Sequence, residues 1–283
     1  VLAHRTIPSI PERMVRSAAR AWLSFRPTKR CLAPLGKKPE SIKTHRSVMT
    51  TNDACKSLMS AKLAFVIAAA GRGCRVGVDK MSERLGDRTV LEMTVDAVRA
   101  AVPSVPVVAV VGPDWVEGWR TVLESDSPRT TVIVGGPRRQ ESVRLGVERA
   151  AELGAEIVAI HDGARPLVHS HDIRRVIDAI GDASAAILCA EIFDTVKRID
   201  NDGIVQETLD RGSLRLAQTP QVFRVAALET AWRRQDLRHE WSDEAALIEA
   251  DGGRVRCVVA EHPNPKITTP TDLELVRALI GRH

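Results

Sequence analysis

The segment at positions 68–80 combines glycines with two cations, directly after the apolar run 64–70. Glycines that follow a strand let backbone N–H groups approach a phosphate closely, and Arg75 and Lys80 can neutralise its negative charge. The loop lacks the Gly-Lys-[Ser/Thr] ending of a Walker A motif. It also fits the dinucleotide fingerprint poorly, because its third glycine comes one position late. The pattern therefore favours a nucleoside triphosphate, and a tight turn with solvated cations is the alternative.

A second candidate is the segment HDGARP at 161–166, which stands at the end of the apolar run 156–161. An aspartate there lies on the ligand edge of a parallel sheet, where Asp162 can hold a metal ion or a sugar hydroxyl. Arg165 is close enough in sequence to pair with it. A buried Asp–Arg bridge that fixes the loop is the structural alternative.

Four further polar clusters stand next to strand or helix ends, and each by itself is uninformative. They are TLDR at 208–211, QTPQ at 218–221, SDEA at 242–245 and PKIT at 265–268. Ser242 is predicted to be a helix N-cap. Arg198 and Arg211 are predicted to be exposed charges of a hairpin.

Short apolar runs rich in Val, Ile and Ala must position these groups. They occupy 64–70, 106–112, 130–134, 156–161, 184–192 and 254–260. Runs that are apolar on both faces are typical of a parallel sheet covered by helices on each side. Their alternation with helix-period segments predicts an α/β fold with a doubly wound, mostly parallel, Rossmann-like sheet. Right-handed crossovers then bring the loops that follow the strands to one edge, where ligands bind.

Two capping boxes indicate helix starts. Thr89 and Glu92 predict a helix that runs to about Val102, and Thr271 and Glu274 predict the start of the C-terminal helix.

Residues 194–218 interrupt the alternation with period-2 stretches around Asp202-Gly203, which is a hairpin signal. Such a hairpin has an unpaired edge, so we expect it either to cover part of its own chain or to pair with another chain.

Composition narrows the class of protein. The longest apolar runs are too short to span a bilayer, and aromatic residues make up only 3%, which leaves few stacking platforms for single-stranded nucleic acid. The five cysteines form no CxxC pair, which argues against a zinc ribbon or a disulfide scaffold and favours a reducing compartment. We therefore expect neither a nucleic-acid partner nor a membrane partner.

The basic charge is confined to one end of the chain. Residues 1–62 carry 13 Lys and Arg against 3 Asp and Glu, whereas residues 63–283 carry 28 against 33. The basic segment shows no sustained hydrophobic period. We expect it to be disordered, a targeting segment, an over-extended or expression-derived addition, or a basic arm with a partner, while residues 63–283 form the catalytic domain.

Taken in order, the motifs resemble the 2-C-methyl-D-erythritol 4-phosphate cytidylyltransferase family of the non-mevalonate isoprenoid pathway. The resemblance covers about residues 64 to 281. Besides the glycine loop with Arg75 and Lys80 and the HDGARP segment, it rests on Gly136 with Glu141-Ser142-Val143, 194–198 (DTVKR), 209–211 (LDR), 218–221 (QTPQ), 242–245 (SDEA) and 266–270 (KITTP).

The resemblance implies transfer of CMP from CTP to methylerythritol phosphate, with Mg²⁺ bridging the triphosphate. The implied CTP-binding residues are Ala69, Ala70, Gly71, Gly136, Ser142 and Gly163. The implied catalytic residues are Lys80, Arg75 and Lys266. The implied sugar-phosphate ligands are Asp162, Thr195, Arg211, Thr219 and Lys266, with Asp162 also a candidate metal ligand. Thr195 and Arg211 would come from the 194–218 hairpin of a second subunit in a homodimer.

Two alternatives remain open. A ribitol-5-phosphate cytidylyltransferase shares nearly every motif. A catalytically weakened binding protein of the same fold is suggested by Asp79, where the family usually has proline, and by a loop from Arg75 to Lys80 that is about two residues short. The expected location is the cytoplasm, or a plastid or other organelle if residues 1–62 are a transit peptide.

Overall fold

Apolar segments of five to seven residues, buried on both faces, build the central sheet of the protein. The computed structural model describes residues 62–71, 80–127 and 129–281. The predicted basic segment at 1–62 therefore lies outside the described residues, apart from Lys62.

The strands are β1 (Leu63–Ala69), β2 (Arg84–Leu85), β3 (Arg88–Thr89), β4 (Val107–Val111), β5 (Thr130–Val134), β6 (Ile157–Asp162), β7 (Ala185–Ala190), β8 (Lys197–Ile199), β9 (Val205–Thr208), β10 (Leu216–Arg224) and β11 (Val255–Val259). The α-helices are α1 (Val90–Ala101), α2 (Val116–Asp126), α3 (Arg139–Glu152), α4 (Ser170–Asp178), α5 (Val225–Arg234), α6 (Glu244–Ala250) and α7 (Pro270–Ile280). Single 3₁₀ turns occupy Pro113–Trp115 and Arg211–Ser213.

Seven strands form the main sheet in the order β11-β7-β10-β6-β1-β4-β5. Every neighbouring pair is parallel except the two pairs that contain β10, which is antiparallel to both β6 and β7. All six predicted apolar strands are present, and their ends agree with the prediction to within two residues. The predicted doubly wound, mostly parallel sheet is confirmed.

Helices cover both faces of this sheet. Phe65 and Ile67 on β1 point into one apolar cluster with α1, α2, α4 and α7, whereas Val66 points into the other with α3, α5 and α6. This alternation follows from the period of two along a strand. Because both faces are buried, the ends of the strands and the loops after them are what the sheet offers to a ligand. No helix among the described residues has both the length and the apolar character needed to cross a bilayer.

Strand β10 was not predicted. Its first residues are exposed, and Pro220 interrupts the middle of it, so neither alternation nor a continuous apolar run marks it in the sequence. Its ladder with β7 is irregular between Ala217 and Gln221, on either side of this proline.

Two predicted helix starts are wrong by one or two residues. Helix α7 is capped by Thr269, whose side chain accepts the amide N–H of Asp272, and Pro270 takes the first helical position. Helix α6 is capped by Asp243 rather than Ser242. The capping box of Thr89 and Glu92 at α1 is confirmed.

The predicted hairpin is confirmed as strands β8 and β9, which pair antiparallel. Gly203 has φ = +82°, which glycine adopts without strain, and it follows Asp202 in the turn. We call residues 194–218 the arm. Four apolar side chains of the arm are more than half exposed: Ile199, Ile204, Val205 and Leu216.

Candidate active site

A cavity of about 750 Å³ lies at the carboxyl edge of the sheet. In the sheet, β1 has β4 on one side and β6 on the other, and the cavity lies beyond the carboxyl end of β1. Open α/β sheets bind ligands at such a point, where the order of the strands reverses. Its wall includes the loops that follow β1, β4 and β5, the first turns of α3, and single residues from more distant segments. The residues of the wall used below are Ala69, Ala70, Gly71, Lys80, Trp115, Trp119, Gly135, Gly136, Arg139, Ser142, Asp162 and Lys266.

Glycines let the β1 and β5 loops meet at one end of the cavity. A Cβ added to Gly135 would stand 2.4 Å from the Cβ of Ala70, and one added to Gly136 would stand 2.7 Å from the Cβ of Glu141. The Ser142 hydroxyl is 3.1 Å from the carbonyl oxygen of Gly136. These contacts exclude side chains and leave backbone polar groups to a ligand. Gly135 was not singled out from the sequence, although a Gly-Gly pair directly after a strand is a signal for it.

Two aromatic residues line the same cavity and were also missed. Trp119 is buried, whereas the side chain of Trp115 in the 3₁₀ turn after β4 is 52% exposed at the cavity wall. A half-exposed tryptophan beside a nucleotide-sized cavity offers a flat apolar surface to a ligand. Its position in a short turn gave no pattern from which the sequence could show this.

Asp162 is a buried carboxylate of the cavity wall. Its carboxylate lies 2.9 Å from Lys266 Nζ, 3.2 Å from Arg165 Nε and 3.8 Å from a terminal nitrogen of Arg139. Burial alone would raise the pKa of Asp162, but Lys266, Arg139 and Arg165 outweigh burial and lower it to about 2. The carboxylate is therefore ionised at neutral pH and holds Lys266 at the cavity.

Arg139 joins this network through a partner from the far end of the chain. Its guanidinium lies 2.9 Å from Glu244, a buried residue at the start of α6. Burial raises the pKa of Glu244, and Arg139 opposes that rise. The sequence did not point to this pair, because the two residues are 105 positions apart and each belongs to an ordinary amphipathic helix.

Lys80 lines the cavity, and its Nζ donates to the carbonyl oxygen of Ile267, 3.4 Å away. The residue after Lys266 thus accepts a hydrogen bond from Lys80, which brings the two predicted catalytic lysines to one place. Arg75 and Asp79 lie outside the described residues.

Two predicted ligand residues are behind the wall rather than on it. The amide of Gly163 donates to Ala68, and a Cβ added to Gly163 would stand 3.0 Å from the Cβ of Ala69. The buried Thr219 hydroxyl lies 2.9 Å from Nδ1 of His161 and accepts the amide N–H of Asp162. Both residues support the wall from within.

Thr195 and Arg211 are on the arm and do not line the cavity of their own chain. Arg211 is exposed and donates to the backbone carbonyl of Phe193. One chain therefore does not bring these two residues to the site.

Two acidic residues, Asp114 and Asp162, line the cavity. In the part of the chain that the structure describes, no three His, Cys, Asp or Glu side chains converge to hold a metal ion. Mg²⁺ commonly keeps several waters and binds through one or two carboxylates and the phosphates of a substrate. Two carboxylates, Asp114 and Asp162, in the wall of a cavity of nucleotide size fit that mode.

Comparison with known proteins identifies the family. The 2-C-methyl-D-erythritol 4-phosphate cytidylyltransferase family matches residues 63–282. A relative of that name from Pelotomaculum thermopropionicum is 38% identical over 225 residues, which are 77% of this chain and 94% of the relative. A bifunctional enzyme IspD/IspF of Rhodospirillum rubrum is 41% identical over 222 residues, again 77% of this chain but only 57% of the relative, so the chain spans little more than half of that enzyme.

A solved structure supports the same assignment. The 4-diphosphocytidyl-2C-methyl-D-erythritol synthase from Anaerococcus prevotii superposes with a TM-score of 0.69 at 28% identity, and the match covers 78% of this chain and 98% of that one. The chain therefore belongs to the 2-C-methyl-D-erythritol 4-phosphate cytidylyltransferase family, a family of nucleotidyltransferase enzymes.

Proposed function

We propose that this chain transfers CMP from CTP to 2-C-methyl-D-erythritol 4-phosphate. A phosphate oxygen of the sugar alcohol attacks the α-phosphorus of CTP, a new P–O bond forms, and the bond to the leaving pyrophosphate breaks. The observation that carries the proposal is one cavity whose wall combines a glycine-lined part, formed by Ala69, Ala70, Gly71, Gly135 and Gly136, with a charged part around Asp162 and Lys266. The attacking phosphate is already an anion, so the site needs cations and positioning rather than a covalent nucleophile.

The glycine-lined part of the wall suits the nucleotide. Ala69, Ala70 and Gly71 would face the triphosphate and base, while Gly136 and Ser142 would read cytosine and ribose. Trp115 and Trp119 give the same cavity an apolar surface. Gly163 would act indirectly, by packing against Ala69.

The charged part of the wall suits the sugar-alcohol phosphate. Asp162 would accept from hydroxyl groups, and Lys266 and Lys80 would stabilise the negative charge that builds up at the α-phosphorus, together with Arg75. Preorganised cations of this kind act where charge develops in the transition state. Mg²⁺ would be held by the triphosphate and by the Asp162 carboxylate, and it would supply further charge neutralisation.

The test is turnover of the full chain with CTP and Mg²⁺, measured as pyrophosphate release. We expect release with methylerythritol phosphate and at least tenfold lower kcat/KM with ribitol 5-phosphate. The reverse preference would support the ribitol-5-phosphate alternative.

A second measurement separates an enzyme from a binding protein. Because Trp115 is at the cavity wall, CTP should change its fluorescence, and Trp115→Phe should remove most of that signal. Trp232→Phe, on helix α5 and outside the cavity, is the matched control. A CTP-dependent signal without turnover would indicate the weakened binding protein instead.

We further propose a homodimer with composite sites. The arm exposes four apolar side chains and carries Thr195 and Arg211, which do not reach the cavity of their own chain. A two-stranded hairpin is only marginally stable in water, so the same hairpin of a second chain is a natural support. Arg211 would then offer its guanidinium to a phosphate in the neighbouring cavity.

Mixing Lys80→Ala chains with Arg211→Ala chains tests this arrangement. With composite sites, a mixed dimer has one site with both lesions and one with neither, so about half of the wild-type activity of a dimer should return. If each site is built from one chain, every site keeps one lesion. No recovery, in a sample shown by mass spectrometry to contain mixed dimers, would refute the composite site.

Residues 63–283 would then be the catalytic domain, with residues 1–62 outside it. The described cysteines, Cys189 and Cys257, are both free thiols, which agrees with a reducing compartment such as the cytoplasm.

A further inference from the structure

His161 is fully buried at the end of β6, and both ring nitrogens have polar neighbours. Its Nε2 is 3.2 Å from the carbonyl oxygen of Arg165, and its Nδ1 is 2.9 Å from the Thr219 hydroxyl. A carbonyl oxygen can only accept, so Nε2 carries the hydrogen. The Thr219 oxygen already accepts the amide N–H of Asp162, so the hydroxyl hydrogen is available to Nδ1, which accepts it.

This tautomer fixes the direction of every bond in a short relay. Thr219 donates its only hydroxyl hydrogen to His161, so its oxygen is left to accept. It accepts the amide N–H of Asp162 at 3.0 Å. The relay thus runs from the Asp162 amide through Thr219 and His161 to the Arg165 carbonyl, and none of its hydroxyl or ring atoms is spare to donate elsewhere.

The relay lies beside Asp162 on the side that faces β10, where the β6–β10 ladder has already ended. Strand β10 pairs with β6 from Arg224 opposite Ile157 up to Gln221 opposite Ile160, and no pair of this ladder includes Asp162. Pro220, the next residue of β10, has no N–H to offer. On its other side Asp162 is in register with Ala68 of β1. The Thr219 side chain therefore replaces the missing ladder bond.

We propose that His161 is a positioning residue, which holds Thr219 as an acceptor for the Asp162 amide and so sets where the Asp162 carboxylate stands in the cavity. His161 does not line the cavity and touches no reacting atom. The inference rests on the proposed function, in which Asp162 binds methylerythritol phosphate. It predicts a defect that is selective for this substrate, because the residues proposed to contact CTP directly (Ala69, Ala70, Gly71, Gly136 and Ser142) lie at the end of β1, after β5 or on α3.

Two substitutions separate the halves of the ring. His161→Asn places an amide oxygen near the position of Nδ1 and keeps an acceptor for Thr219, whereas His161→Gln places its amide near Nε2 and keeps only the bond to Arg165. We expect His161→Gln to raise KM for methylerythritol phosphate about 10-fold or more, since a buried polar group is left unpaired. His161→Asn should stay nearer to the wild type, and KM for CTP should change little in both variants.

A second pair of variants keeps the test decisive if His161 variants fail to fold. Thr219→Ser keeps the hydroxyl, and Thr219→Val removes it at nearly equal volume. The relay predicts a rise in the sugar-phosphate KM for Thr219→Val but not for Thr219→Ser. It also predicts that His161→Gln adds little in the Thr219→Val background, because coupled residues are not additive.

Equal effects of Asn and Gln, equal effects of Ser and Val, or a parallel rise in KM for CTP would overturn the relay. Wild-type turnover, measured in the same assay, keeps the two proposals apart. Without it the proposed function fails, and with it an insensitive set of variants overturns only the role of His161.

Discussion

At the scale of single residues, the site is organised by two carboxylates that pair with cations. Asp162 pairs with three cations, Lys266, Arg165 and Arg139. Glu244 also pairs with Arg139. Removing one partner of such a pair strands the charge of the other. The polar network therefore contributes to stability as well as to binding.

Glu244→Gln tests this contribution. The variant keeps the shape of the side chain but removes the charge that faces Arg139, and the partial exposure of Arg139 moderates the loss, so we expect about 2 kcal/mol less stability to urea. Glu148→Gln is the matched control, since Glu148 forms an exposed pair with Arg144 that is worth roughly 0–1 kcal/mol. Equal midpoints for the two variants would contradict a structural role for the buried pair.

His161 makes stability depend on pH. The unfolded chain protonates this histidine below its ordinary pKa of 6.5, but the folded chain does so only below about 4. The unfolded state binds more protons in that window, so stability should fall as pH falls from 6.5 towards 4. Asp162 has its own window lower down, between its ordinary 3.8 and about 2.

The measurement is Tm at pH 7 and pH 5, for the wild type and for His161→Asn. We expect a smaller difference between the two pH values in the variant, because asparagine does not titrate. An unchanged difference would assign the pH dependence to other groups, such as His169, whose pKa is also lowered, chiefly by burial.

At the scale of elements, the arm is the least self-sufficient part of the described chain. Strands β8 and β9 pair only with each other, and all seven of their residues are exposed. Ile199 on β8 is 59% exposed. An exposed apolar row on a two-stranded hairpin is typical of a surface that pairs with another chain.

Ile199→Asp should therefore weaken self-association. A charge on the buried face of the proposed arm-to-arm contact costs desolvation, so the proposed dimer should dissociate at protein concentrations where the wild type stays associated. Sedimentation velocity measures this directly. Val122→Asp on helix α2, where Val122 is 40% exposed, controls for a general effect of an added charge, and equal behaviour of both variants would argue against the arm as the interface.

At the scale of the whole molecule, charge and family match divide the chain at the same place. The excess of cations is confined to residues 1–62, and the family match begins at residue 63. We expect deletion of residues 1–58 to leave kcat, KM and Tm unchanged, because the deleted part has no core-forming pattern. A fall of several degrees in Tm would show instead that this part packs on residues 63–283.

Much of the fold follows from local patterns. Six apolar runs read as strands because parallel strands are buried on both faces, and the order of strands, turns and helices places their carboxyl ends at one edge. Asp162 was found from the sequence for the same reason, since it directly follows such a run. The hairpin of the arm was also readable, because Asp202-Gly203 is a local turn signal.

The rest depends on contacts between distant residues. Strand β10 forms because it pairs with both β6 and β7, although Pro220 argues against a strand. The pairing of Arg139 with Glu244 needs α3 and α6 to converge, and the seating of Thr219 behind Asp162 needs β10 beside β6. Local sequence propensity cannot predict these contacts, because they contribute to the free energy of folding only after the layers have packed together. The motifs thus named the residues at the edge of the sheet, while packing decided which of them face the cavity and which hold the others in place.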